Sequence, residues 1–305
     1  MTGRLRRLVG AALDRRFGAV HDHLNDLANR LAAGEERSAD RTHALAAAVD
    51  ELSRRVDEQL VPALRLLAGD DAGNRRRLGV ARSAPDYELA FTEGDPLVTV
   101  LVPTFGRSEL LAERMLPSIL RQSYDELEIL VLGDGPVDTT AEVIRAAADP
   151  RVRYESVPQR YIYPDPHRHW LAASTLTRNE GYRSARGRWL FDVDDDDELP
   201  ADAIERLLQA CREQRHEAVQ GTIREHRPDG STAVIEPSPS ELPLKGALVH
   251  AHLRFFEREH IASALGVPGD WFRGERMVRA GVRIAFIEDV TYEYYPSSLW
   301  LDEPN

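Results

Sequence analysis

Cysteine is nearly absent from this sequence: Cys211 is the single cysteine among 305 residues. One thiol excludes an internal disulfide and a zinc site built on several cysteines. No apolar run approaches the roughly 20 residues that span a bilayer, and the apolar stretch at residues 8–13 is too short for a signal peptide. We therefore expect a cytoplasmic protein without a transmembrane segment, with peripheral contact at the inner membrane face left open.

Positive net charge is also lacking. The formal net charge of −12 argues against nonspecific nucleic-acid binding, so no nucleic-acid partner is expected. Hydrophobic residues make up 42% of the chain, which is ordinary for a globular protein with a real core. Heavy use of alanine and arginine suggests a bacterial source with a GC-rich genome.

Residues 1–68 carry the pattern of a helical, coiled-coil-like region. A stripe spaced alternately four and three residues apart predicts amphipathic helices; its members are Leu13, Phe17, Val20, Leu24, Leu27, Leu31 and, after a break, Leu45, Val49, Leu52 and Val56. Such helices suit a spacer, a homodimer interface or the docking of another protein. The alternative is a membrane-surface anchor using the arginines at positions 4, 6, 7, 15 and 16. Residues 69–95 lose the periodicity and are predicted to be a linker.

From residue 96 to 305 the pattern becomes that of an α/β domain. Strands predicted at 97–103, 127–135, 151–157 and 188–193 alternate with helical segments, which predicts right-handed crossovers and a mostly parallel sheet. Ligands of such sheets gather at the carboxyl ends of the strands. Here those ends read PTFGR, GDG and DVDDDDE, so a polar site is expected at that edge.

The acidic run from Asp194 to Glu198 is the strongest chemical signal. Mutual repulsion disfavours such a run unless cations compensate it, and hard Mg²⁺ or Mn²⁺ takes carboxylate and phosphate oxygens. The alternative is an acidic helix N-terminus favoured by the helix dipole. That alternative suits Asp197 and Glu198, near Pro200, better than three aspartates at a strand end.

Three separated segments together resemble the family 2 glycosyltransferases of the GT-A fold. They are VTVLVPTFGRSELLAERMLPSILRQSYDELEILVLGDG, TRNEGYRSARGRWLFDVDDDDELP and GDWFRGERMVRAG. The resemblance covers about residues 96 to 300. It implies a GT-A (Rossmann-like) domain, a nucleotide-sugar donor whose commonest carrier is UDP, a bound Mg²⁺ or Mn²⁺, and transfer with inversion at the anomeric carbon.

The resemblance also assigns roles by position. The implied donor-nucleotide residues are Pro103, Thr104, Arg107, Asp134, Arg178, Asp194 and Asp195. Asp194 and Asp196 fall on the ends of the DXD motif as metal ligands, and His250 is a further metal candidate. Asp270 falls on the catalytic base, although a plain loop aspartate there, and a plain turn aspartate at Asp134, stay open. Gly133 and Gly269 depart from the family, which usually has an acid at each position.

Aromatic and histidine side chains supply candidates for the sugar or acceptor pocket. His167, His169, Trp170 and Trp271 are placed there because an aromatic face suits a sugar ring. Neither histidine pair (167 and 169, 250 and 252) has the spacing of a helical zinc site. Two other functions are weighed: a nucleotidyltransferase, which usually has a glycine-rich phosphate loop, and a catalytically degenerate GT-A scaffold, which the two glycines favour.

Overall fold

The computed structural model describes residues 38–61, 71–135, 139–158, 170–236 and 244–296. Eight strands form one sheet: β1 Val98–Thr104, β2 Leu127–Gly133, β3 Val152–Ser156, β4 Trp189–Asp192, β5 Ala218–His226, β6 Thr232–Ile235, β7 Ala247–His250 and β8 Ile284–Tyr294. Their order across the sheet is β3-β2-β1-β4-β7-β5-β6, with β8 paired to β5. The described ranges contain no helix long and apolar enough to cross a membrane.

The four strands predicted from their apolar runs form a parallel array. β1 pairs in parallel with β2 and β4, and β2 pairs in parallel with β3. β7 then runs antiparallel to both β4 and β5, while β8 is parallel to β5. The predicted α/β, mostly parallel architecture is therefore confirmed. β1, β2 and β4 are buried along their whole length, because helices cover both faces of a parallel sheet.

Helices precede β1 and also alternate with the strands that follow it. Their bounds are Ser38–Arg55, Asp71–Arg82, Leu89–Thr92, Ser108–Leu110, Leu116–Leu120, Thr140–Ala147, Thr175–Ser184, Ala203–Glu213 and Gly269–Ala280. Two π-helical stretches, Val56–Leu60 and Leu111–Met115, continue the helices before them. Short 3-10 turns occupy Ala251–Leu253 and His260–Leu265.

For the described residues 71–95, the prediction of a linker is wrong. The helix Asp71–Arg82 packs on the helix Gly269–Ala280, and Tyr87 and Phe91 are buried in the main core. The Trp189 indole N–H donates to the Ala90 carbonyl over 3.0 Å. This segment lacks a regular apolar stripe because its few apolar side chains fill gaps left by the sheet, and it is part of the folded domain.

The N-terminal helical region stays partly a prediction. The helix Ser38–Arg55 exists, and the π-helical turn after it lies against the 3-10 turn His260–Leu265. The first half of the apolar stripe, residues 13–31, and the arginines at positions 4–16 lie outside the described residues. The dimer, anchor and docking alternatives therefore stay predictions.

Candidate active site

The sheet register brings the predicted polar strand ends together. Thr104, the last residue of β1, pairs with Gly133 at the end of β2, and Leu101 pairs with Asp192 at the end of β4. The Asp134 amide donates to the Thr104 carbonyl over 2.9 Å. Parallel strands end at the same edge, so residues about 30 to 90 positions apart in sequence meet there.

The acidic loop, Asp194 to Asp197, divides into two pairs of carboxylates. Asp194 and Asp197 are called the inward pair because both contact the Lys245 ammonium, although the Asp194 side chain is 37% exposed. Asp194 accepts from the Arg178 guanidinium and, over 2.8 Å, from Lys245. The Asp197 carboxylate is fully buried and accepts from the Tyr292 hydroxyl and the Tyr295 amide, each at 2.8 Å. The inward pair therefore has partners within the protein.

Asp195 and Asp196 are called the outward pair because they contact Arg107 and not Lys245; their side chains are 6% and 14% exposed. Arg107 Nη1 lies 2.5 Å from Asp196 Oδ2 and 3.4 Å from Asp195 Oδ1. Burial, reinforced by the Asp196 charge, raises the pKa of Asp195 to about 7. Burial and the Asp194 charge also raise the pKa of Asp196. Negative charge at this pair exceeds the positive charge beside it, so the pair is suited to receive a cation.

Arg178 lies beneath the acidic loop. Its guanidinium is buried and ion-paired with Asp192 and Asp194, and its Nη1 donates to the Val193 carbonyl over 3.2 Å. Arg178 therefore holds Asp194 in place, and its expected contact with the donor stays a prediction. Thr177, one residue earlier on the same helix, donates its hydroxyl proton to the buried Asp134 carboxylate.

Asp270 lies in the first turn of the helix Gly269–Ala280, and its charge acts on Arg258. The Arg258 Nη2 donates to Asp192 Oδ2 over 3.0 Å. The Asn179 side chain fixes the Arg258 backbone, accepting from its amide at 2.8 Å and donating to its carbonyl at 2.9 Å. Arg258 thus links the predicted base to the end of β4.

Arg276, whose spacing from Asp270 matches the family pattern, supports the same turn. Its Nη1 donates to the Glu257 carbonyl over 2.9 Å. Its role in the structure is to hold the chain that carries Arg258.

His250 is placed away from the acidic loop, which corrects the suggestion that it approaches the metal. It pairs in register with Trp189, the first residue of β4, whereas the acidic loop follows the last. Its Nε2 lies 3.0 Å from the Tyr87 carbonyl and its Nδ1 accepts from the His252 amide at 3.1 Å. Burial lowers its pKa to about 4, so it is a neutral core histidine stacked on Tyr87.

The pocket candidates are only partly described. His167 and His169 lie outside the described residues. Trp170 is 43% exposed, and the Leu171 carbonyl beside it lies 3.9 Å from the position of a Cβ built on Gly269, next to Asp270. Trp271 is half-buried on the helix that carries Asp270. Both tryptophans are therefore on the elements that meet near the predicted base.

The two glycines that depart from the family have different surroundings. A Cβ on Gly133 would lie 2.5 Å from the Tyr154 hydroxyl and 3.1 Å from Ser156 Oγ, so the neighbouring strand already fills that space. A Cβ on Gly269 would meet nothing closer than 3.7 Å. Steric exclusion explains the first departure and does not explain the second.

Sequence reasoning missed two cations of this site, Lys245 and Arg258. Arg258 lies in no recognisable sequence motif, and only the fold brings it into contact with Asp192. Lys245 has a signal that could have found it, because it is the only lysine in the sequence. All other basic residues, histidines aside, are arginines, and the one lysine ammonium group lies against the acidic loop.

Comparison with known proteins identifies the class to which this fold and site belong. The model of the family described as Glycosyl transferase family 2 matches residues 99–248. That span contains β1, β2, β4 and the acidic loop. This match supports a family 2 glycosyltransferase and favours it over the nucleotidyltransferase alternative.

Among curated relatives, the chondroitin synthase of Pasteurella multocida is 30% identical over 167 residues, which are 53% of this chain and 16% of that protein. The GalNAc(5)-diNAcBac-PP-undecaprenol beta-1,3-glucosyltransferase of Campylobacter jejuni is 32% identical over 120 residues, which are 39% of this chain and 35% of that protein. The chain therefore matches well under half the length of these relatives.

A solved structure confirms the fold. The S. aureus TarS 1-349 structure in complex with UDP-GlcNAc has a TM-score of 0.52 and 16% sequence identity, covering 66% of this chain and 59% of that one. At that identity the likeness establishes the GT-A fold and no more.

Proposed function

We propose that this chain transfers a sugar from a nucleoside-diphosphate donor to an acceptor hydroxyl, with inversion at the anomeric carbon. The observation that carries the proposal is the outward pair: Asp195 and Asp196 are two adjacent carboxylates that share the guanidinium of Arg107 at the sheet edge where β1, β2 and β4 end. Its position within the family match supports a donor site there. TarS, which shares the fold, has been crystallised with UDP and with UDP-GlcNAc.

The reaction needs one base and a place for the leaving charge. As the acceptor oxygen bonds to the anomeric carbon, its proton passes to the Asp270 carboxylate, and the bond from that carbon to the diphosphate oxygen breaks. The electron pair of the broken bond stays on the diphosphate. The positive charge of Arg258 lies close enough to the Asp270 carboxylate to interact with it.

A divalent cation fits the outward pair and not the inward one. Mg²⁺ is commonly held by one or two carboxylates together with substrate phosphates, and Asp195 and Asp196 supply two. Within the described ranges no three His, Cys, Asp or Glu side chains form a preformed metal site, which agrees with a cation completed by the donor. When bound, Mg²⁺ or Mn²⁺ would neutralise charge on the diphosphate, and Arg107 lies beside the same carboxylates.

The carrier is proposed to be uridine diphosphate, with Asp134 accepting a hydrogen bond from the base. Asp134 is only 5% exposed and lies at the end of β2. Its carboxylate accepts from Thr177, which orients it within the strand-end cluster.

A thermal-shift panel tests this function. The full-length protein is heated with UDP, thymidine diphosphate or GDP, each with and without Mn²⁺. We expect UDP with Mn²⁺ to raise the melting temperature most, because a ligand that binds only the folded state stabilises it. Equal melting temperatures across the whole panel would contradict the proposal.

A further inference from the structure

Lys245 is the only lysine in a chain whose other 38 basic residues, of 39, are arginines. Its Nζ lies 2.8 Å from Asp194 Oδ2 and 2.9 Å from Asp197 Oδ2, so one ammonium group bridges the inward pair. The side chain is 22% exposed, and Nζ lies 3.9 Å from the centroid of the Tyr294 ring. Two carboxylates and the Tyr294 ring therefore lie against the ammonium group of Lys245.

The surrounding chain is built to hold this charge in place. Gly246, the residue after Lys245, has φ +63, and a Cβ there would overlap the Tyr292 ring. Only glycine therefore lets the backbone pass this close to Tyr292. The Tyr292 hydroxyl accepts from the Asp194 amide at 3.0 Å and donates to Asp197 at 2.8 Å. Burial opposes the ammonium charge, but Asp194 and Asp197 outweigh burial and raise the pKa of Lys245.

We propose that Lys245 is the resident cation of the acidic loop, a positioning residue that reserves Asp194 and Asp197 for itself and leaves Asp195 and Asp196 to the divalent ion. This inference rests on the proposed function, since it concerns the cation of that same site.

The physical basis is competition between like charges. A compact ammonium in contact with two carboxylates repels any second cation that approaches them, and solvent screens this charge little at Asp197, which is fully buried. Lys245 therefore weakens the attraction of the loop for free metal. The donor diphosphate brings additional negative charge, so the divalent ion binds together with the nucleotide.

The test measures binding of Mn²⁺ alone to the full-length protein, by the electron paramagnetic resonance signal of free Mn²⁺. We expect Lys245→Met to bind Mn²⁺ at least about tenfold more tightly than the wild type, because Asp194 and the fully buried Asp197 lose the ammonium group that bridges them. Lys245→Arg keeps the charge and is expected to stay within about threefold of the wild type. An affinity of Lys245→Met equal to or weaker than that of the wild type would overturn the proposal.

A second variant, in which the charge change is balanced, keeps the proposal testable if Lys245→Met does not fold. The double variant Lys245→Met, Asp194→Asn removes both members of one ion pair, a change that folded proteins often tolerate. We expect its Mn²⁺ affinity to stay within about threefold of the wild type, because Asp194 is not a ligand in the proposal. A loss of about tenfold or more would make Asp194 the ligand and overturn the proposal.

The two proposals fail in different ways. Absence of Mn²⁺ binding by both the wild type and Lys245→Met overturns the role of Lys245, even if UDP still stabilises the protein. Tighter Mn²⁺ binding by Lys245→Met, with no response to any nucleotide, supports the role of Lys245 and overturns the proposed function.

Discussion

Two buried carboxylate clusters in this molecule have opposite charge balance. Glu217, fully buried at the start of β5, accepts from Arg82 at 2.6 and 2.7 Å, from the Arg283 amide at 2.8 Å and from Tyr87. Burial raises the pKa of Glu217, but these hydrogen bonds outweigh burial and lower it below its ordinary value. At the outward pair of the acidic loop burial prevails, and the pKa of Asp195 rises to about 7.

This difference in charge balance distinguishes Glu217, a structural carboxylate, from Asp195, which we propose binds a ligand. Glu217 joins the helix Asp71–Arg82 to the sheet, and its charge is matched by protein groups. Asp195 and Asp196 share Arg107 and keep surplus negative charge at the edge where ligands of parallel sheets bind. The sign of the pKa shift does not assign the function by itself, because burial also raises the pKa of Asp197, which Lys245 contacts. The groups in contact with each carboxylate have to be considered as well.

The largest effect is expected from Asp270→Asn. Loss of the base should lower the rate of sugar transfer about 100- to 10,000-fold, because no carboxylate is then in place to accept the proton of the acceptor hydroxyl. Transfer from UDP-sugars is measured by release of UDP. Glu217→Gln is the control and should keep the activity of each folded molecule, whereas equal activity of Asp270→Asn and wild type would remove Asp270 from its role.

Glu217→Gln should have the larger effect on stability. We expect the free energy of unfolding to fall by about 3 kcal/mol, because Arg82 and Arg283 lose a buried ionic partner. Urea unfolding followed by circular dichroism measures this change. A loss below about 0.5 kcal/mol would show that the N-terminal segment is held by apolar packing alone.

Asp196→Asn should weaken the response to UDP with Mn²⁺. Removing one charge of the outward pair is expected to raise the apparent Kd for Mn²⁺ in the presence of UDP about tenfold, since one of two carboxylate ligands is lost. The melting temperature is followed over a Mn²⁺ titration. Asp202→Asn, on an exposed ion pair with Arg206, is the matched control, and an equal shift in both variants would contradict the assignment.

The smallest expected effect is a change in how the free energy of unfolding depends on pH. Between pH 4 and pH 7 folded Asp195 holds a proton that the unfolded chain has released, so its contribution to stability is lost as the pH rises through about 7. Asp195→Asn should therefore flatten the fall in unfolding free energy between pH 5 and pH 8. The lowered pKa of Glu217 acts with the opposite sign, and only below its ordinary range, so Glu217→Gln should leave that slope unchanged.

Much of the fold could be predicted from the sequence. The apolar runs of β1, β2 and β4 are continuous because both faces of the central sheet are buried, and such runs are visible without a structure. The segment at residues 71–93 could not be predicted, because Tyr87 and Phe91 are core residues with no period. The site divides in the same way: the acidic run is local, whereas the partners of its members come from distant strands and turns.

By itself, the sequence determined that carboxylates would stand at the ends of parallel strands, because strand length and alternation with helices are local properties. The tertiary structure alone decided which of those carboxylates are already neutralised. Lys245, Arg178 and Arg107 reach the acidic loop from three different elements, and charge compensation depends on distances in space rather than on spacing along the chain.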